Sequence, residues 1–362
     1  MIFKEITFVG MDLGTFKTSV SCSNGRRDVV LSAVGWPKDH IARGMLGKDV
    51  IFGEEILEQR LAVNSVRPFA KGVLKYLSKE AAGMPEADLE RHKEAASLLV
   101  RHAVSLVNPP ADGPVYGVIG VPSRASIANK QAVLAAAAGT FDAVMIAPEP
   151  FTVAFGMNCL METVVIDIGA GTIDICPMCG SFPSEEDQVT IPLGGDAVDE
   201  RFLALLRKAY PDAKISERKA REIKEKFGFV HNLEEKVVVT LPSLGEPKQY
   251  DVTGQLKDAC GTLVSPIVDA LKDVIAKFDP DFQDRFLANI LLSGGGSQIR
   301  GLDHLLEESL APYGPASVTK VYDYVFAGAV GALRLAMATP AEHWTQLQQR
   351  SGGSTATARK AA

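Results

Sequence analysis

A chain of 362 residues with 46% hydrophobic content has enough apolar mass for two cores, because single cores stop growing at roughly 250 to 300 residues. Its 44 acidic residues exceed its 38 basic ones, a net charge of −6, so its overall field repels phosphate backbones and gives no basis for non-specific nucleic-acid binding. No run approaches the ~20 apolar residues of a bilayer crossing, and five scattered cysteines make no disulfide framework; together they point to a reducing, cytoplasmic setting without membrane insertion.

The opening MIFKEITFVG, whose apolar residues are interrupted by Lys4 and Glu5, reads as a first strand and not as a signal peptide or basic anchor. Apolar runs closed by glycine then alternate with helical periodicity, which predicts an α/β protein. Strands are expected over 6–9, 18–22, 115–121, 163–168, 172–176 and 290–292. Helices are expected over 88–107, 126–139, 197–209, 216–228, 256–278, 302–311 and 325–337. In the first of these, Leu89, Ala96, Leu99, Val100, Ala103 and Val107 share one face, the signature of a core-facing stripe. No Pro/Gly/Ser linker halves the chain, so two lobes would exchange segments; the stretch 180–187 is a turn. Cys176-Pro-Met-Cys179 has neither a second ligand pair nor a helix start, and reads as small apolar residues at a strand end. From 346 to 362 the composition becomes that of a disordered tail, SGGSTATARK over 351–360 being linker-like.

An internal echo carries the chemistry. Thr7-Phe-Val-Gly-Met-Asp12-Leu-Gly14-Thr15 and Thr163-Val-Val-Ile-Asp167-Ile-Gly169-Ala-Gly171-Thr172 are each an apolar strand ending in Asp, one apolar residue and Gly, followed by Thr. Glycine lets backbone N–H groups converge on an anion, and threonine hydroxyls add donors. The aspartates would hold Mg²⁺ through its waters, since that ion keeps several waters and takes one or two carboxylates plus substrate oxygens. Either copy alone is equally a plain strand turn. A third turn, Ser293-Gly294-Gly295-Gly296-Ser297, can pass close to a flat base or an α-phosphate. A fourth, Gly194-Gly195-Asp196 with Asp199, opens a helix, where capping alone accounts for both acids. At Glu149-Pro150 the proline suits a helix start, and Glu149 is either a helix-dipole carboxylate or the group that orients a water attacking a γ-phosphate. A P-loop is excluded, because Gly44-Met-Leu-Gly47-Lys48-Asp49 has the wrong spacing. The dinucleotide fingerprint is excluded as well: Asp174 stands where Gly169-Ala-Gly171 would need a third glycine.

In chain order and over nearly the whole length, these elements resemble the five motifs of the actin, Hsp70 and sugar-kinase superfamily. Asp12-Leu-Gly-Thr15 and Asp167-Ile-Gly-Ala-Gly-Thr172 are similar to its two phosphate motifs, Val118 to Pro122 through Glu149-Pro150 to its first connecting segment, Ser293-Gly-Gly-Gly-Ser297 to its adenosine motif, and Ala327-Gly-Ala-Val-Gly331 to its second connecting helix. Ile223-Lys224-Glu225-Lys226 resembles the helix beside ribose and adenine. Ile166 to Thr172 with Asp174-Ile-Cys176, Glu186 to Thr190, Val198-Asp-Glu200, Gly294 to Gly301 and His343-Trp344 are most similar to the MamK family of bacterial actins, which align magnetosomes, and next to the MreB family. Phe16-Lys17 and Ala170 depart from the usual residues, and Lys17 is a candidate extra phosphate contact.

The resemblance implies an α/β actin-like fold, two ribonuclease-H-like lobes of four subdomains around a nucleotide cleft. Lobe I would take 1–158 plus 326–345, with a small insertion near 34–88; lobe II would take 159–325, with one near 208–252. It implies ATP or ADP with Mg²⁺, contacted by Gly14, Thr15, Phe16 and Lys17, by Gly169, Ala170, Gly171 and Thr172, by Gly194, Gly195 and Asp196, by Lys224 and Glu225, and by Gly294, Gly295, Gly296, Ser297 and Ile299. Asp12 and Asp167 would order the metal through water, and Glu149 would position the attacking water. The partner would be the chain itself, in a cytoplasmic filament that assembles with Mg-ATP and disassembles on hydrolysis, with adaptor proteins linking it to magnetosome membranes. An MreB-type cell-shape filament, a small-molecule kinase, an Hsp70-like chaperone and a non-catalytic ATP-binding scaffold are the rival readings.

Overall fold

The computed structural model describes residues 5–78, 81–231 and 235–351. Two compact units form, Met1–Cys159 with Asp323–Ala362, and Leu160–Tyr322.

The first unit is built on a five-stranded sheet in the order Ala143–Pro148, Val115–Val121, Thr7–Leu13, Lys17–Cys22, Arg27–Leu31. Thr7–Leu13 runs parallel to Val115–Val121 and antiparallel to Lys17–Cys22. Side chains alternate across a strand, and this alternation decides where the chemistry sits. Val9, Met11 and Leu13 enter a core with Ala96, Leu99 and Val100 of the helix Glu86–Leu106. Phe8, Gly10 and Asp12 take the other face, under the helix Ala327–Ala338.

That helix lies unusually close. A Cβ at Gly10 would overlap the backbone of Ala329 and Leu333, one at Gly331 would overlap the Thr152 carbonyl, and one at Gly156 would come within 2.9 Å of Gly331 Cα. Backbone therefore meets backbone where Ala327–Ala338 crosses the strand Thr7–Leu13 and the helix Glu149–Met157.

The second unit repeats the plan. Its sheet runs Val189–Ile191, Ile173–Cys179, Met161–Ile168, Ile290–Ser293, Val318–Lys320, with Met161–Ile168 parallel to Ile290–Ser293 and antiparallel to Ile173–Cys179. Strand order and directions match those of the first unit, and Asp12 and Asp167 are each the penultimate residue of the corresponding strand. The echo in the sequence is thus an echo in topology.

Each unit carries a small appendage. In the first, Ile51–Phe52, Val34–Pro37 and Val63–Val66 form a three-stranded sheet over Ile51, Ile56 and Val63. In the second, the hairpin Val238–Ser243/Glu246–Asp251 is tied down by Asp212, whose carboxylate accepts from Ser243, Lys248 and Tyr250 at 2.8–2.9 Å. Among the described residues no helix is long and apolar enough to cross a membrane.

Two expectations need correction. The helix expected over 256–278 is two, Thr253–Gly261 and Val264–Ile275, because Pro266 has no N–H to donate back to Thr262 and its ring crowds that carbonyl. The tail expected from 346 is helical to its sixth residue, as part of Ala341–Ser351; residues 352–362 lie outside the described residues. Composition missed the anchor of that helix. Trp344 is buried, stacks on Tyr116 at 5.2 Å, approaches Phe8 at 6.2 Å and donates to the Ala336 carbonyl. Trp344→Ala should therefore lower the unfolding free energy by about 3–5 kcal/mol in urea titration, with faster hydrogen exchange over 341–348.

Candidate functional site

In the first unit, Asp12 and Glu149 converge over one glycine. Gly120 is in register with Asp12 on one side and Ala147 on the other, and a Cβ there would lie 3.3 Å from Glu149 Cγ and 3.8 Å from Asp12 Cα. Glu149 opens its helix as expected, with Pro150 in the first turn, and is buried. The helix Ala327–Ala338 closes the other side, since a Cβ at Gly328 would lie 2.7 Å from Asp12 Oδ2. Burial under this helix pushes the Asp12 carboxyl up to about 6.

The Gly14–Lys17 turn is tied on its outer side. The Ser32 hydroxyl donates to the Gly14 carbonyl at 2.6 Å. Thr15 Oγ1 accepts from the Gly72 N–H at 3.2 Å, and its carbonyl accepts from Arg67 at 3.2 Å. The Arg67 guanidinium also lies 5.3 Å from the Phe16 ring centroid. Gly72 belongs to a tight turn with φ of 49° at Lys71 and 70° at Gly72, and buried Asn129 clamps that turn by accepting from Leu74 N–H and donating to the Gly72 carbonyl. Lys17 is exposed at its strand's first residue.

In the second unit, three glycine turns interlock. Gly195 N–H donates to the Gly169 carbonyl at 3.0 Å and Asp196 N–H to the Ala170 carbonyl at 2.8 Å; a Cβ at Gly194 would lie 2.6 Å from both carbonyl oxygens. Gly169 N–H closes its own turn onto the Thr172 carbonyl at 2.9 Å. On the far side, Gly294 has φ of 77°, and a Cβ there would lie 2.7 Å from Asp167 Oδ1. Gly296 rests on Ile168, and Ser297 Oγ donates to the Gly294 carbonyl at 2.6 Å. The space above Gly295 is open.

Capping does not account for Asp196 and Asp199. Gly194 caps the helix Gly195–Ala209 without a side-chain bond, and the two acids meet cations from the helix Glu217–Phe227. Arg221 spans both, at 2.7 Å to Asp196 Oδ1 and 2.7 Å to Asp199 Oδ2, while Lys224 lies 2.8 Å from Asp199 and donates to the Gly195 carbonyl at 2.9 Å. Asp199 is buried, so a paired cation is the condition for its charge. Glu225 is exposed beside Lys224, and Ile299 is buried in the unit's apolar core beneath the turn. Among the described residues no three His, Cys, Asp or Glu side chains form a metal-binding group.

Sequence reading missed Arg67, Gly72, Asn129 and Arg221. Only Arg221 had a local signal, because it precedes Lys224 by three residues and so shares its helix face. The others lie far in sequence from the turns they support.

Against known proteins, the model of the MreB/Mbl protein family matches residues 6–317. The actin-like protein MamK of Paramagnetospirillum magneticum is 38% identical over 349 residues, covering 96% of this chain and 97% of that protein. A solved MamK double helical filament superposes with a TM-score of 0.87, at 38% identity over 93% of this chain and 100% of that one. A non-polymerising mutant of MamK bound to AMPPNP superposes with a TM-score of 0.70, at 38% identity over 92% of this chain and 99% of that one.

Two measurements follow from this geometry. The folded chain keeps the Asp12 proton up to about pH 6, whereas the unfolded chain loses it near 3.8, so ionising Asp12 costs stability. The cost is absent below pH 3.8 and complete above 6. Asp12→Asn should raise the unfolding free energy of the nucleotide-free protein by about 1–3 kcal/mol at pH 7.5 and leave it unchanged at pH 3.5. Arg221→Met, which strips one cation from buried Asp199, should cost about 2–4 kcal/mol and speed hydrogen exchange across Glu217–Phe227 while leaving Ile127–Ala137 as it was.

Proposed function

This chain belongs to the MreB/Mbl family of actin-like proteins, and on that footing we propose that it is a filament-forming ATPase that assembles with Mg-ATP and disassembles after hydrolysis. The observation that carries the reading is the meeting of Asp12 and Glu149 over Gly120, matched in the second unit by Asp167 beside the interlocked turns. Relatives seen as a filament and with AMPPNP support it.

The donor set suits a nucleotide. Gly14 to Lys17 in the first unit and Ala170 to Thr172 in the second would offer backbone N–H groups and hydroxyls to phosphate oxygens, and Gly294 to Ser297 leave open space over Gly295 for the adenosine. Asp12 and Asp167 would hold Mg²⁺ through its waters. Bound there, the ion would neutralise charge on the β- and γ-phosphates. Glu149 would orient a water in line with the γ-phosphate and draw its proton; the methylenes packed on Gly120 fix where that carboxylate can point. No group of the protein becomes covalently modified. Loss of the γ-phosphate would remove a ligand of these turns and so weaken the assembled state. In the cell the filament would be a cytoplasmic track, with adaptors connecting it to magnetosome membranes.

Glu149→Ala is the deciding variant. It should keep ATP affinity and assembly while phosphate release slows by roughly 10² or more, so that its filaments outlast a pulse of ATP that the unaltered chain consumes. Near-normal turnover, without any cosubstrate, would refute the role given to Glu149. Pelleting and phosphate release on one preparation read both.

A further inference from the structure

The segment that grips Thr15 is a short hairpin. Phe69 pairs with Leu74 and Ala70 with Val73, which leaves Lys71-Gly72 as a two-residue loop. Both loop residues have positive φ, 49° and 70°, the conformation of the tight turn whose preferred sequence is Asn-Gly. Gly72 adopts it freely. Lys71 does not, because its Cβ crowds left-handed backbone and it lacks the short polar side chain that lets asparagine adopt that conformation. Such strain persists only where the surroundings impose it, and it marks a position to be read for function.

The surroundings here are well defined. Phe69 and Leu74 are buried in the first unit's core, and Lys75 N–H closes the base of the hairpin on the Pro68 carbonyl at 2.8 Å. Buried Asn129 bonds both Gly72 and Leu74. The hairpin thus meets the phosphate turn at two points, Gly72 N–H on Thr15 Oγ1 and Arg67 on the Thr15 carbonyl. Since Thr15 Oγ1 accepts from Gly72, its own proton is left for another acceptor.

Charge completes the case. Lys71 is exposed and makes no ion pair with an acid among the described residues. With Arg67 and Lys17 it flanks a turn whose backbone N–H groups are themselves electropositive, so the turn lacks a counter-charge that an anion would supply. The hairpin also approaches from the side of Glu149. Asn129 lies in the helix that follows Val115–Val121, and in the sheet that strand stands between Thr7–Leu13, which leads to Thr15, and Ala143–Pro148, which leads to Glu149.

We propose that the Lys71 ammonium binds the γ-phosphate of the nucleotide held by the Gly14–Lys17 turn. The inference rests on the ATPase reading above and adds one contact to it. A lysine ammonium is a compact charge with three donors, and this one would give the first unit a preference for ATP over ADP.

Lys71→Asn tests the proposal because it improves the turn while removing the charge, and Lys71→Gln removes the charge and keeps the turn's cost. Affinities for Mg-AMPPNP and Mg-ADP would be read by competition against a fluorescent ADP analogue, at protein concentrations below assembly. Both variants should bind Mg-ADP as the unaltered chain does and Mg-AMPPNP roughly ten- to a hundredfold more weakly, the scale of one charge-assisted hydrogen bond. Lys71→Asn should also melt at or above the unaltered temperature. If both variants keep the unaltered preference for AMPPNP, Lys71 is a solvated surface charge, and the inference falls while phosphate release by the unaltered chain still supports the ATPase reading. Equal weakening of AMPPNP and ADP would put the contact elsewhere on the nucleotide and overturn the proposal as stated. So would weakening by Lys71→Asn alone, which would trace the effect to the turn and not to the charge. If the unaltered chain binds neither nucleotide, both readings fall.

Discussion

Backbone contact across glycine is the constraint on which the first unit depends. Gly10, Gly156 and Gly331 allow the helix Ala327–Ala338 to meet the central strand and the helix Glu149–Met157 backbone to backbone, and Gly328 leaves room for the Asp12 carboxylate. That approach covers half-buried Asp12 and, with Gly120, limits where Glu149 can lie. The raised Asp12 carboxyl is the electrostatic cost of the arrangement. A looser packing would solvate the carboxylate and stabilise the empty protein, but would leave the charge less fixed in position.

The second unit solves a similar problem with charge. Its turns interlock through the Gly169 and Ala170 carbonyls, and the Arg221–Asp196–Asp199–Lys224 network holds the start of the helix Gly195–Ala209 against the appended helix. One sheet plan thus carries two kinds of support, close-packed backbone in one copy and bridging cations in the other. The second kind tolerates more movement, because an ion pair keeps much of its attraction over a displacement that would abolish the dispersion between two touching backbones.

Much of this was legible in the sequence, and for identifiable reasons. The strand over 115–121 is buried on every residue, and its full length is legible because a continuous apolar run bounded by turns leaves little choice. The two Asp-x-Gly turns were visible because their spacing repeats. What failed was non-local or depended on a single atom. Pro266 splits a helix whose periodicity continues through the break. Trp344 anchors a helix that runs on into the stretch expected from 346 to be a disordered tail. Asp196 and Asp199 look like capping acids until Arg221, more than twenty residues later, is placed beside them. Asn129 and Gly72 support the Thr15 turn through contacts between segments that no short window contains.

The order of segments along the chain has a temporal consequence. All five strands of the first sheet have been synthesised by Pro148, yet the helix that covers the Gly10 face begins only at Ala327. At ~5–20 residues per second, a ribosome needs on the order of 10 to 40 s to deliver the roughly 180 residues between them. The second unit, contiguous from Leu160 to Tyr322, can complete its core within that interval, while the earlier sheet waits with one face bare. The first unit to be translated is therefore the last to be finished, and the nascent chain exposes its strand-side glycines to chaperones and to neighbouring nascent copies for that interval.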